Sequence, residues 1–170
     1  KEYLEKFKAL SEVDGGLLGL RTPFARDGFE IAALSSGLAI SAIKDVLKGK
    51  YKNSYSLSRP PGHHCLPDYP NGFCLLANIA IAIDSAISEN LGKKFCVIDW
   101  DVHHGNGTEA IFYDRDDVLT ISIHQERNYP VDTGMEIDRG KGEGLGFNVN
   151  LPLPAGSGHS TYLNVFDKVV

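Results

Sequence analysis

"KFCVIDWDVHHGNGTEAIFYDRDDVLTISIH", Lys94 to His124, holds two apolar runs joined by a glycine-rich loop and a short helical segment. Lys94–Trp100 and Val118–His124 are nearly continuously apolar, as strands buried on both faces of a parallel sheet are. A parallel pair needs a crossover, and Thr108 to Tyr113 reads as the helix that supplies it.

The flanking sequence repeats this alternation. "LLANIAIAIDSAISEN" (Leu75 to Asn90) is small and apolar on most faces, which suits a helix buried against a sheet, with Gly92 as its stop. In Gly28 to Lys48, apolar residues recur at Ile31, Leu34, Leu38, Ala42, Ile43, Val46 and Leu47. Asp27 with Glu30 reads as its capping pair, and Gly49 fits just past its end. "SYSLS" (Ser54 to Ser58) and "GFNVNLPL" (Gly146 to Leu153) read as further strands, and Ser160 to Val170 as a last helix. The expected fold is α/β, a mostly parallel sheet flanked by helices. The longest loops follow Ser58, Trp100 and His124, at the carboxyl ends of three strands, where open α/β sheets bind ligands.

The 170 residues suit one domain, with 42% hydrophobic and 23% charged residues. A net charge of −5 argues against direct nucleic-acid binding, which needs a basic field, but leaves cationic substrates open. Cys65, Cys74 and Cys96 are odd in number and lack CxxC spacing, which points to a reducing, cytoplasmic compartment. No apolar run is long enough for a membrane span. The opening "KEYLEKFKAL" is amphipathic and lacks an initiating Met, so the chain reads as a fragment or a trimmed form.

Asp99, Asp101 and His103 are spaced two apart; an extended backbone would put them on one side, with Trp100, Val102 and His104 on the other. Asp and His are ordinary zinc ligands, and Gly105-Asn106-Gly107 lets the chain turn away. The competing reading makes the aspartates helix caps and the histidines loop residues. A second pair, His63 and His64, follows Pro60-Pro61-Gly62, a stiff corner that would hold proton carriers in place.

"RPPGHH", "NGFC", "DWDVHHGNGT" and "ISIH" occur in that order, and together they resemble the histone deacetylase and acetylpolyamine amidohydrolase family, in its class II and bacterial spelling. The likeness runs from about Gly28 to the end and implies an arginase/deacetylase-like fold. It implies zinc ligands at Asp101 and His103, and a tandem catalytic pair at His63 and His64. Asp99 would orient His63, and Asn106 would orient His64. Gly72 and Phe73 would line an acyl-lysine tunnel, with Tyr129 opposite. Ser122, with the carbonyls of Asp99, Asp101, His103 and Ile123, would form a buried potassium site. The implied reaction is zinc-assisted hydrolysis of an acetyl-lysine or acetylpolyamine amide, giving acetate and a free amine.

The family's third zinc ligand, a later Asp, and its tyrosine after a Gly-Gly pair have no matching motif. Asp132, Asp138 and Asp167 carry none, and Gly15-Gly16 precedes a leucine at the wrong end. The chain therefore reads as one partial domain, residues 1–170, with weak zinc affinity of its own and an unpaired sheet edge that invites association. Cys65 reads as a small core residue, or alternatively as an extra metal ligand or redox-sensitive thiol. "RGKGEGLGFNVN" lacks the geometry of a phosphate loop, and "YDRDDV" reads as a solvated turn. Two other functions fit parts of the sequence. One is a non-catalytic binding module; the other is a di-metal ureohydrolase, against which the Arg-Pro-Pro-Gly-His-His stretch argues.

Overall fold

A computed structural model describes residues 2–170. Its centre is a three-stranded parallel sheet, β3 (Phe95–Asp99), β4 (Val118–Gln125) and β5 (Asn148–Leu153), in the order β3-β4-β5. Phe95 stands opposite Val118 and Asp99 opposite Ser122, so the carboxyl ends of β3 and β4 are level. Before the sheet come α1 (Glu2–Val13), an antiparallel hairpin β1 (Gly15–Leu17) and β2 (Pro23–Ala25), α2 (Gly28–Leu47) and α3 (Asn78–Ser88). The helix α4 (Asn106–Phe112) crosses from β3 to β4, and α5 (His159–Val169) follows β5.

Two apolar clusters hold these layers together. Ala80 and Ile83 of α3, Val97 of β3, Phe112 of α4 and Val118 of β4 are buried together, with Ile43 of α2 against them. A second cluster joins Phe7 of α1, Ala32 of α2 and Leu75. There Phe7 meets Phe24 and Phe29 edge-on, at centroid distances of 4.8 and 5.2 Å, a favourable aromatic geometry.

Several local expectations are corrected. Asp27 does not cap α2: its backbone is left-handed (φ 64) and its side chain makes no cap bond. Ser11 of α1 does that work, since its hydroxyl accepts from Phe29 N (2.9 Å) and donates to Glu30 (3.2 Å). The helix expected from Leu75 begins at Asn78 and ends before left-handed Asn90 (φ 56) rather than at Gly92. Ser54–Ser58 is not a strand. It has no hydrogen-bonded neighbour among the described residues, and Tyr55 and Leu57 are 84% and 80% exposed. Alternation alone cannot make a strand, because the ladder needs a partner. β3 pairs only with β4 among the described residues, so its other edge is open, as expected for an unpaired sheet edge. No described helix is long and apolar enough to cross a membrane.

Candidate active site

The corner before His63 is held by two helices. Pro60 O accepts from Ser35 Oγ of α2 and from Asn78 Nδ2 of α3, both at 2.9 Å. Gly62 packs so close to α3 that a Cβ would lie 2.5 Å from Asn78 N. On the far side the first turn of α4 reaches back, with Gly107 N donating to His63 O at 2.8 Å. The two imidazoles are thus fixed from both ends. Adjacent side chains on an extended segment diverge, but these rings lie together, with centroids 3.9 Å apart.

Each ring has its own partner, on a different element. His63 Nδ1–H donates to Asp99 Oδ2 at the end of β3 (2.8 Å). His64 Nδ1–H donates to Asn106 Oδ1 at the start of α4 (2.9 Å). Nε2 is then the free nitrogen of both rings. Burial alone would lower the His63 pKa, but the hydrogen bond and charge of Asp99, with Asp101 behind it, hold it above the usual value. Burial and the neighbouring His63 push His64 the other way, to about 4, against the weaker help of Asn106 and Asp101. The two imidazoles are therefore shifted in opposite directions, His63 toward its protonated form and His64 toward its neutral form, within one site.

Asp101 and His103 stand beside this pair, but not by strand periodicity. β3 ends at Asp99 and the chain turns: Asp99 Oδ1 accepts from Asp101 N (3.0 Å), and Asp101 Oδ1 from His103 N (2.8 Å). These are local carboxylate-to-backbone turns, so each aspartate also shapes the loop. The turns still bring Asp101 Oδ1 within 3.1 Å of His103 Nδ1. Two ligand atoms each about 2.0–2.1 Å from one zinc ion stand roughly 3–3.5 Å apart at near-tetrahedral angles, so the pair fits a shared ion. Both side chains are also accessible, at 48% and 40% exposure. No group of three His, Cys, Asp or Glu arranged for a metal occurs among the described residues.

The expected far side of this loop is divided. Trp100 and Val102 are exposed, whereas His104 is buried. Thr133 Oγ1 donates its one proton to Pro130 O (2.8 Å) and so accepts from His104 Nδ1–H (2.9 Å). His104 Nε2 then lies 3.3 Å from Glu109 Oε2, at ion-pair distance but off hydrogen-bond alignment. Glu109 Oε2 also accepts from Asn148 and Asn150 of β5, each at 2.6 Å. The sequence reading missed this buried polar cluster, which ties α4, β5 and the loop after β4 together. Burial would raise the Glu109 pKa, but His104 and the two amides hold it low. A depressed carboxylate pKa adds stability above the usual glutamate range, and that stability is lost as pH falls through the folded value. Glu109→Ala is expected to cost about 1–3 kcal/mol at neutral pH, through the donors it leaves unpaired. Thermal unfolding should show the deficit shrinking in acid.

Gly72 and Phe73 occupy the centre of a tight turn closed by Cys74 N donating to Asn71 O (2.8 Å), and both have positive φ, 50° and 66°. Phe73 is consequently pushed outward and is 61% exposed. Tyr129 faces the turn, donates to Asn71 Oδ1 (2.5 Å), and stands edge-on to His64 and His103. Together with Arg21, Pro61, Asp101 and Asn128 these residues enclose a cavity of about 250 Å³. Ser122 is level with Asp99, Ile123 is fully buried, and both Asp99 and Ser122 line a void of about 10 Å³. Ser122 Oγ–H donates to His124 Nδ1 (2.9 Å) in that setting. Cys65 is buried and its thiol is pushed up to about 12 by burial, which matches the reading of it as a small core residue.

Comparison with known proteins gives the family and the fold. The family model described as "Histone deacetylase domain" matches residues 1–170. A histone deacetylase-like amidohydrolase of Pseudomonas aeruginosa is 53% identical over 168 residues, which are 99% of this chain and 44% of that protein. The crystal structure of the HDA15 HD domain superposes with a TM-score of 0.93 at 35% identity, over 99% of this chain and 48% of the other. The acetylpolyamine aminohydrolase of Burkholderia pseudomallei superposes with a TM-score of 0.84 at 32% identity, over 98% of this chain and 56% of the other. The chain spans about half the length of the relatives it matches.

Proposed function

The chain belongs to the histone deacetylase family, and on that premise we propose that it forms the first part of a single zinc-dependent domain that hydrolyses acyl-amides. One observation carries this reading. Two adjacent histidines with unlike partners, Asp99 and Asn106, share a cavity with an Asp101–His103 pair spaced for one ion.

Asp101 Oδ1 and His103 Nδ1 would hold zinc. Zinc so held supplies Lewis acidity, polarising the substrate carbonyl and lowering the pKa of a water. Neutral His64 accepts a proton at Nε2 as the water attacks. His63, whose protonated form Asp99 favours, donates one from Nε2 to the departing amine and is left neutral. Gly72, Phe73 and Tyr129 would enclose the acyl-bearing arm and exclude water around it. Ser122, with the carbonyls of Asp99, Asp101, His103 and Ile123, would hold potassium and stiffen the strand ends behind the zinc ligands. The third zinc ligand and the oxyanion tyrosine would come from the rest of a domain of full family length.

The substrates are acyl-lysine or acylpolyamine amides, with acetate and a free amine as products and the cytoplasm as the setting. The open edge of β3 is the surface through which copies of this partial chain would associate. A second reading, an impaired relative serving as a binding module, is favoured by the lack of a third ligand among the described residues. Zinc-loaded full-length protein should release amine from fluorogenic acetyl-lysine or acetylpolyamine. Intact acyl-lysine binding without release would leave the binding module.

A further inference from the structure

Arg21 stands at the mouth of the catalytic cavity on anchored backbone. Phe73 N donates to its carbonyl and Gly72 N to the carbonyl of Leu20, both at 3.0 Å. The next residue, Thr22, is fully buried, and its hydroxyl accepts from Gly19 N (2.8 Å). Arg21 itself has φ 57, a region few residues other than glycine adopt. Its guanidinium carbon lies 5.7 Å from the centroid of the Tyr129 ring, and the side chain lines the cavity beside His63, His64 and Phe73. Stacking on a ring leaves the N–H edges of a guanidinium free.

Those edges have no carboxylate within 4 Å among the described residues. Asp101 lines the same cavity but lies outside that range. Arg26 and Arg115 are paired with carboxylates, and Arg59, Arg127 and Arg139, like Arg21, have none within that range, but of these arginines Arg21 alone lines the cavity. In a chain of net charge −5, an unpaired cation at the cavity mouth opposes the overall field.

We infer that Arg21 is a specificity-determining residue that favours acylated amines bearing a carboxylate near the acyl arm over polycationic ones. The inference rests on the proposed hydrolase reading and names its substrate class. A carboxylate beside the acyl-lysine would meet the guanidinium fork in paired hydrogen bonds. A second ammonium there, as on a polyamine or a lysine-rich peptide, would meet a like charge. The carboxylate could be an acidic flanking side chain or the α-carboxylate of free acetyl-lysine.

The test uses zinc-loaded full-length protein with four substrates: acetyl-lysine peptides flanked by Asp or by Lys, and acetyl-lysine with a free or an amidated carboxyl. kcat/KM is measured for each, alongside Kd for the matching hydroxamates, which need no turnover. The Asp-flanked peptide should exceed the Lys-flanked one by roughly 2- to 5-fold per ion pair at low salt, shrinking as salt rises. The free-carboxyl pair reports whether the α-carboxylate is read as well. Arg21→Ala should erase the preference, Arg21→Glu reverse it and Arg21→Lys keep part of it. A wild-type preference that survives Arg21→Ala, or none in the wild type, overturns the inference. If no amide is cleaved but hydroxamate affinities follow this order and collapse in Arg21→Ala, the hydrolase reading fails and the role of Arg21 stands.

Discussion

Replacing His64 with alanine is expected to lower kcat/KM for an acyl-lysine substrate by about 10²- to 10⁴-fold, the usual range for a positioned acid–base group. His64 is buried, neutral at physiological pH, and held by Asn106, so its free Nε2 is available to accept a proton. His63 is the poorer acceptor, because Asp99 favours its protonated form. Zinc stoichiometry should be unchanged, since the proposed ligands Asp101 and His103 lie on a different loop. The pH profile follows from the opposite shifts. Activity needs unprotonated His64, so it fails in acid as pH falls through the His64 value of about 4. It also needs protonated His63, so it declines as pH rises through that group's elevated value. The profile of kcat/KM should be bell-shaped, and Asp99→Asn should move its alkaline limb to lower pH.

Gly72→Ala is expected to reduce kcat/KM by at least about 10²-fold, the penalty for displacing a catalytic group by about 1 Å. A Cβ at position 72 would lie 2.4 Å from His64 Cδ2 and 2.9 Å from Tyr129 Cε1. The backbone is also left-handed there (φ 50), which disfavours any side chain. His64 has little room to yield, with Asn106 holding Nδ1 and the tilted His63 ring 3.9 Å away, centroid to centroid. Tyr129 is pinned through its hydroxyl to Asn71. The loss should fall mainly on kcat, and a hydroxamate directed at the metal should bind less tightly through the crowded wall. Circular dichroism would confirm that the variant remains folded.

The central sheet was legible because β3 and β4 are almost uninterrupted apolar runs; β4 is buried on both faces, as such a run implies, whereas in β3 only Val97 is buried and Cys96 is exposed, because one edge of that strand has no neighbour among the described residues. Ser54–Ser58 was misread because its alternation says nothing of a partner, and none is paired with it here. The β1–β2 hairpin escaped because three-residue strands carry no periodic signal. At the site, Asp101 and His103 stand together for a reason other than the strand spacing the sequence suggested. Carboxylate-capped turns bring them together, and strand alternation plays no part. The partnerships His63–Asp99 and His64–Asn106 span 36 and 42 residues, and only the family resemblance suggested them. Glu109 and Thr133 gave no signal, since each looks like a surface residue until its buried partners are known. Arg21 was passed over because a lone arginine in a loop is unremarkable in sequence, and only the fold brings it to the cavity.

The most direct test is anomalous diffraction at the zinc edge from crystals of the full-length protein. A single peak is expected within bonding distance of Asp101 and His103, one water away from the free nitrogens of His63 and His64. A peak bound elsewhere, or Asp101 and His103 turned away from a metal that is present, would contradict the account.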